Sequence, residues 1–289
     1  MPVLQRVSVS IKDILVATDF SSVSDKAAAY AKALALNFRS KVEIVHVFDP
    51  SHVEALLGMP TPQRQKLTHE ALESLQKEFV DAGIEAATTL AEGRSAHTTL
   101  LKHAANHDIN LIVAGTHSKV GLERLVLGST AEELIRNAAC PVLTVGPHAK
   151  DPGEGPLVFR TIIYATDFTT QAAKAAVFAL SFAQDSGAHI YLCHISNAQA
   201  SPEETKTLDA TFNAALAKMI PESVYEWCTP ETVVKHGDAA QSILELSARV
   251  NADLIVLGAR NASFWLTHFE HGLTPDLLAE ATCPVMTVC

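Results

Sequence analysis

The chain carries one stretch of sequence twice. Ile14-Leu-Val-Ala-Thr-Asp-Phe-Ser21 returns as Ile162-Ile-Tyr-Ala-Thr-Asp-Phe-Thr169, 148 residues on. Leu111-Ile-Val-Ala-Gly115 returns as Leu254-Ile-Val-Leu-Gly258, and Cys140-Pro-Val-Leu-Thr-Val145 as Cys283-Pro-Val-Met-Thr-Val288, both 143 residues on. A period this long is not a solenoid repeat but a duplicated domain, and the shortening between the two offsets fits small loop deletions in the second copy. The segment 150–156 is punctuated by Pro and Gly and reads as a linker with nothing apolar to anchor it. It separates a first domain over 1–149 from a second over 157–289.

Inside each copy, short apolar runs alternate with helical spacing. In the first, strands are expected at Ile14–Thr18, Val42–Val47, Ile84–Leu90, Leu111–Ala114 and Val142–Val145. Helices are expected at Ser24–Phe38, His69–Ala82, Thr98–Asn106 and Thr130–Ala138. The second repeats the order, with strands at Ile162–Ala165, Ile190–Cys193, Val233–Lys235, Leu254–Leu257 and Val285–Val288. Continuous apolar strands joined by crossover helices predict a parallel sheet covered on both faces. The expected fold is therefore α/β: two tandem open-sheet domains, each a five-stranded sheet of order 3-2-1-4-5.

Composition narrows the function. Hydrophobic residues make up 48% and charged residues 19%, which excludes a mainly disordered chain. No apolar run is long enough to span a membrane, and the N-terminus lacks the pattern of a signal peptide. Five cysteines without a C-x-x-C spacing suit a reducing cytoplasm, so a soluble cytoplasmic protein is expected. The net charge of −10 splits unevenly, −2 over residues 1–148 and −8 over 149–289. That balance opposes nucleic-acid binding and leaves the first half as the less hostile place for an anion.

Ligands of open parallel sheets bind beyond the strand C-termini, where the strand order reverses. Two loops flank that crevice, Thr18–Ser21 after the first strand and Gly115–Ser118 after the fourth. Asp19 is placed to accept hydrogen bonds from an adenine or a ribose, or else to cap the following helix. Gly115 lets backbone approach a ligand, and Gly128-Ser129-Thr130 opens a helix whose N–H groups suit an anion. Ser129 with Glu132 also fits an S-x-x-E capping box, which needs no ligand. Neither a Walker loop nor a G-x-G-x-x-G motif is present. His103 and His107 lie four apart on an expected helix, and His268 and His271 three apart. With no third ligand placed by the sequence, they read as solvated surface histidines, and no metal is expected.

The spacing Gly115-x-x-Ser118, nine residues, Gly128-Ser129 resembles the ATP-site signature of the universal stress protein family, G-x-x-G, nine residues, G-S/T. Ala17-Thr-Asp-Phe-Ser21, His46-Val47 at the end of strand two and the later Cys-Pro-Val are also similar to that family, and the likeness covers nearly the whole chain twice. It implies a cytoplasmic, stress-linked protein and, in one branch, ATP binding, with or without Mg²⁺. Carried over, Asp19 would contact adenine or ribose, Val47 would line the base pocket, and Gly115 and Ser118 would meet ribose and phosphates. Gly128, Ser129 and Thr130 would hold phosphate, with His117 within reach of it. Ser118 departs from the second glycine of the signature, adding a Cβ together with a hydroxyl able to donate.

The second copy departs further: Asn261 stands at the second glycine, and His271 and Gly272 replace Gly128 and Ser129. It is expected to have lost nucleotide binding. The family also pairs its last strands in dimers, so Val142–Val145 and Val285–Val288 are expected to pair within the chain, with a homodimer or an unknown protein partner engaging other surfaces such as Phe264-Trp265. The expected function is a regulatory, nucleotide-sensing module, at most a slow ATPase. The other reading is a scaffold that binds no nucleotide.

Overall fold

The computed structural model describes residues 9–50, 60–116, 128–196, 201–258 and 273–288. They divide into two compact units, Ser10–Leu157 and Val158–Cys289, the latter joined by Val9.

In the first unit, β1 (Asp13–Ala17), α1 (Ser22–Phe38), β2 (Lys41–Phe48), α2 (Thr61–Asp81) and β3 (Ala86–Glu92) are followed by α3 (Ala96–Asn106), β4 (Leu111–Gly115), α4 (Ser129–Asn137) and β5 (Val142–Val145). The strands form a parallel sheet of order β3-β2-β1-β4-β5. Ile14, Leu15 and Val16 are consecutive and fully buried, which alternating faces permit only when both sides of the sheet are covered. β1 stands between β2 and β4, so the chain leaves its C-terminal end on either side of a switch point. The helix α1 lies close against the sheet because its buried face is small: Ala27, Ala28, Ala31 and Ala35 surround Leu34.

Several expected boundaries move, two of them for reasons that the first unit makes plain. The helix α2 starts at Thr61, eight residues before the first expected position. Its early turns are polar or exposed, so the apolar spacing becomes visible only at Leu72, while Pro62 in the first turn is compatible with a helix start. The strand β3 begins at Ala86, because Ile84, although buried, sits in the turn before it.

The second unit repeats the plan with β6 (Thr161–Ala165), α5 (Thr170–Ser186), β7 (His189–Ser196), α6 (Pro202–Lys218), β8 (Thr229–His236), α7 (Ala239–Val250), β9 (Leu254–Gly258), α8 (Leu273–Glu280) and β10 (Val285–Val288). Its strands run parallel in the order β8-β7-β6-β9-β10, again 3-2-1-4-5. Pro230 lies within β8, as the outer position of that strand allows. Each copy thus has the expected sheet. No helix among the described residues is long and apolar enough to cross a membrane.

The linker is better anchored than its composition predicts. Lys26 donates to the carbonyls of Pro147 and Ala149, Tyr30 to that of Lys150, and Asn37 to that of Leu157. These donors recur every three or four residues with Ala33, whose carbonyl accepts from Leu157 N–H, so one face of α1 holds the segment down. Leu157 itself is buried, which makes it part of the first unit.

Candidate functional site

The loop after β1 is set by its own side chains. Thr18 extends the strand through its N–H to the Val45 carbonyl, and its Oγ1 then accepts the N–H of Phe20. Asp19 Oδ1 accepts the N–H of Ser21, and Ser21 Oγ caps α1 by accepting from Ser24 N–H at 3.2 Å. Phe20 is held at φ 59°, a left-handed conformation that bulky residues rarely take, and its ring lies 4.8 Å from that of His46. The cap of α1 is therefore Ser21, and Asp19 acts one step earlier, fixing the turn. The second unit repeats this arrangement: Phe168 at φ 61°, Thr166 Oγ1 accepting from Phe168 N–H, and Asp167 Oδ1 accepting from Thr169 N–H. The turn belongs to the fold, and the exposed carboxylate of Asp19 is presented by it.

Across β1, His46 Nδ1–H donates to the Thr18 carbonyl at 2.8 Å, which defines the neutral tautomer with Nε2 as the acceptor. Burial holds His46 below its ordinary value near 6.5, against the opposing pull of the Thr18 carbonyl and the Asp19 charge. The folded chain takes up this proton at lower pH than the unfolded chain. The associated stability is thus complete above the unfolded value and is lost as pH falls from there through the lower folded value. His46→Asn should narrow the difference in urea midpoint between about pH 7.5 and about pH 5.5, where histidine titrates. An unchanged difference would refute this account of His46.

The other wall comes from α4. Its N-cap is Gly128, at φ −66° and ψ 137°, and no side chain caps it. Five other described helices start on a capping side chain, from Ser21, Ser95, Thr169, Ser201 and Asp238. The first helical bond of α4 runs from Glu132 N–H to the Gly128 carbonyl, so the N–H groups of Ser129, Thr130 and Ala131 have no helical acceptor. The expected capping box is absent because Ser129 is already the first helical residue. Glu132 instead accepts from Arg136 one turn on. An uncapped N-terminus carrying the positive end of the helix dipole is a place for an anion.

Between these walls lies a crevice of about 560 Å³, a size suited to a small-molecule ligand. Asp19, Val47, Gly115, Gly128, Ser129 and Thr130 all line it, so six expected site residues are brought together. His117 and Ser118 lie outside the described residues, as do 119–127, Asn261, Phe264-Trp265, His268, His271 and Gly272. Gly115 has a structural duty too: a Cβ there would stand 3.0 Å from the backbone of Val23 and Ser24, at the start of α1. Sequence reasoning missed Ala96 and Leu100 of α3, which supply an apolar side of the crevice. The expected helix began only at Thr98, two residues past the first of them. Also missed was Arg64, whose guanidinium lies 4.7 Å from the Phe48 ring centroid in an adjoining pocket that shares His46, Val47 and Ala96.

Comparison with known proteins gives the family. The family model described as "Universal stress protein family" matches residues 10–146 and again 159–288. The chain belongs to the universal stress protein family. Universal stress protein MJ0531 of Methanocaldococcus jannaschii is 36% identical over 148 residues, 48% of this chain and 85% of its own length. Universal stress protein YxiE of Bacillus subtilis is 30% identical over 144 residues, 46% of this chain and 97% of its own. The crystal structure of a universal stress protein from Archaeoglobus fulgidus covers 98% of this chain and 97% of that one, with a TM-score of 0.72 at 18% identity, a likeness of fold. As a universal stress protein with two family domains, the chain carries the crevice described here in its first unit.

Burial pushes Cys193 up to about 12 and Cys228 up to about 11, so both remain protonated near neutrality and make poor nucleophiles.

Proposed function

We propose that the first unit binds one adenine nucleotide, ATP, and that occupancy makes the protein a regulatory, nucleotide-sensing member of its family. The observation that carries this reading is the uncapped start of α4 facing the crevice: Gly128 supplies no side chain, and three N–H groups stand ahead of the first helical bond. The base would lie by Val47, with Asp19 toward the base or ribose and the phosphates against Gly128, Ser129 and Thr130. Whether Mg²⁺ accompanies the phosphates is part of the test.

In the second unit, the Phe212 ring closes to 4.3 Å from His194, the counterpart of His46, and stacks 6.1 Å from Phe168. A third ring beside that histidine, together with the degenerate sequence after Gly258, supports a second domain without nucleotide. The test is mass spectrometry of small molecules released by gentle denaturation of the freshly purified chain. Adenine nucleotide near one per chain is the expected result. Absence of nucleotide, combined with no ATP uptake on dialysis with and without Mg²⁺, would favour the scaffold reading.

A further inference from the structure

We propose that Glu43, His103 and His107 of the first unit form a site for a divalent transition-metal ion, with zinc as the expected occupant. One ligand atom from each lies within 4.8 Å of the other two. His103 stands in the last turn of α3 and His107 is the C-cap residue just past it, and their rings stack at 4.0 Å. Glu43 reaches them from β2, with its Oε1 2.6 Å from His103 Nε2.

The surroundings of the set suit a metal as well as an ion pair. His103 Nε2 is buried, yet despite its closeness to Glu43 it makes no well-directed hydrogen bond. A nitrogen and a carboxylate oxygen that close need a cation or a proton between them. His107 Nδ1–H donates to the His103 carbonyl at 2.9 Å, leaving Nε2 as its ligating atom, and Thr89 Oγ1 donates to Glu43 Oε1 at 2.9 Å. Such outer hydrogen bonds orient metal ligands and fix histidine tautomers. Zn–N and Zn–O bonds of ~2.0–2.2 Å place tetrahedral ligands about 3.3 Å apart, so binding would move His103 Nε2 away from Glu43 Oε1 and turn the two stacked rings until both nitrogens point at the ion. Two imidazoles and a carboxylate suit zinc, with its fourth position open to water. A cleft of about 410 Å³, lined by Glu43, His107, Asp13 and Lys41, adjoins the set.

The duplication supplies a control within the same molecule. The counterparts of Glu43, His103, His107 and Thr89 in the second unit are Tyr191, Leu246, Val250 and Val233, by strand register and by the matching helix caps Ser95 and Asp238. Leu246 is fully buried. The fold therefore accepts apolar residues here, and it does not itself require this connected polar set. A metal would also tie β2 to α3, whose other ends form part of the nucleotide crevice.

The experiment uses the full chain, stripped with a chelator, and titrates Zn²⁺ against a chromophoric zinc indicator. Co²⁺ absorption serves as a second readout. One tight equivalent per chain is expected. His103→Leu, which copies the second unit, and Glu43→Gln, which keeps the side chain's size, should each weaken it by more than about 10-fold and remove the Co²⁺ bands. Thr89→Val should weaken it by about 10–100-fold. Circular dichroism shows which variants are folded. No tight equivalent in the wild type, or unchanged affinity in a folded Glu43→Gln chain, overturns the site.

Discussion

Gly128→Asp is expected to raise stability by a few tenths of a kcal/mol and to weaken ATP binding by more than about 100-fold, or over ~2.7 kcal/mol. Gly128 has ordinary extended angles, so an aspartate fits the backbone without strain. Its carboxylate would accept from the N–H groups that now lack a helical acceptor and would complement the helix dipole. Those same N–H groups are the proposed phosphate contacts, so the cap and the ligand compete. The carboxylate also adds charge repulsion. Gly128→Val should impair binding as well, by crowding, but without the gain in stability. Thermal unfolding and ATP titration of the same preparations separate the two effects. Wild-type affinity in Gly128→Asp would place the phosphates elsewhere.

Gly115→Val should destabilise the first unit by about 1–3 kcal/mol, the usual cost of overpacking, whether or not nucleotide is present. Even the Cβ would meet Val23 and Ser24 backbone at 3.0 Å, and backbone at a helix start cannot rotate aside. The N-terminus of α1 would have to lift, carrying the Thr18–Ser21 turn with it. Gly258 ends β9 in the second unit, where the rest of the signature is degenerate, as a packing role predicts. Urea unfolding of the full chain should show a lower midpoint for this variant. A wild-type midpoint with reduced ATP affinity would mean that Gly115 serves only ligand approach.

The sheet was legible because its evidence came twice: Ile14–Ala17 and Ile162–Ala165 share one pattern, and the strand orders agree in both units. The first two turns of α2 were not legible, since exposed polar residues carry no periodic signal. The site was legible where residues face the strand ends, as at Asp19 and Val47, and misleading where a motif shifts by one position. Ser129 and Glu132 have the letters of a capping box, but the helix starts one residue earlier in register than the box requires. Glu43 is the acidic residue of the expected strand Val42–Val47. Only β2 lying under α3 brings it to His103, a long-range pairing that no local pattern encodes.

The most direct measurement of the central claim is calorimetric titration of ATP into the nucleotide-free full chain, with and without Mg²⁺, for wild type and Gly128→Asp. The account predicts one site per chain in the wild type and none measurable in the folded variant. Two sites per chain, or one site retained in Gly128→Asp, would contradict it.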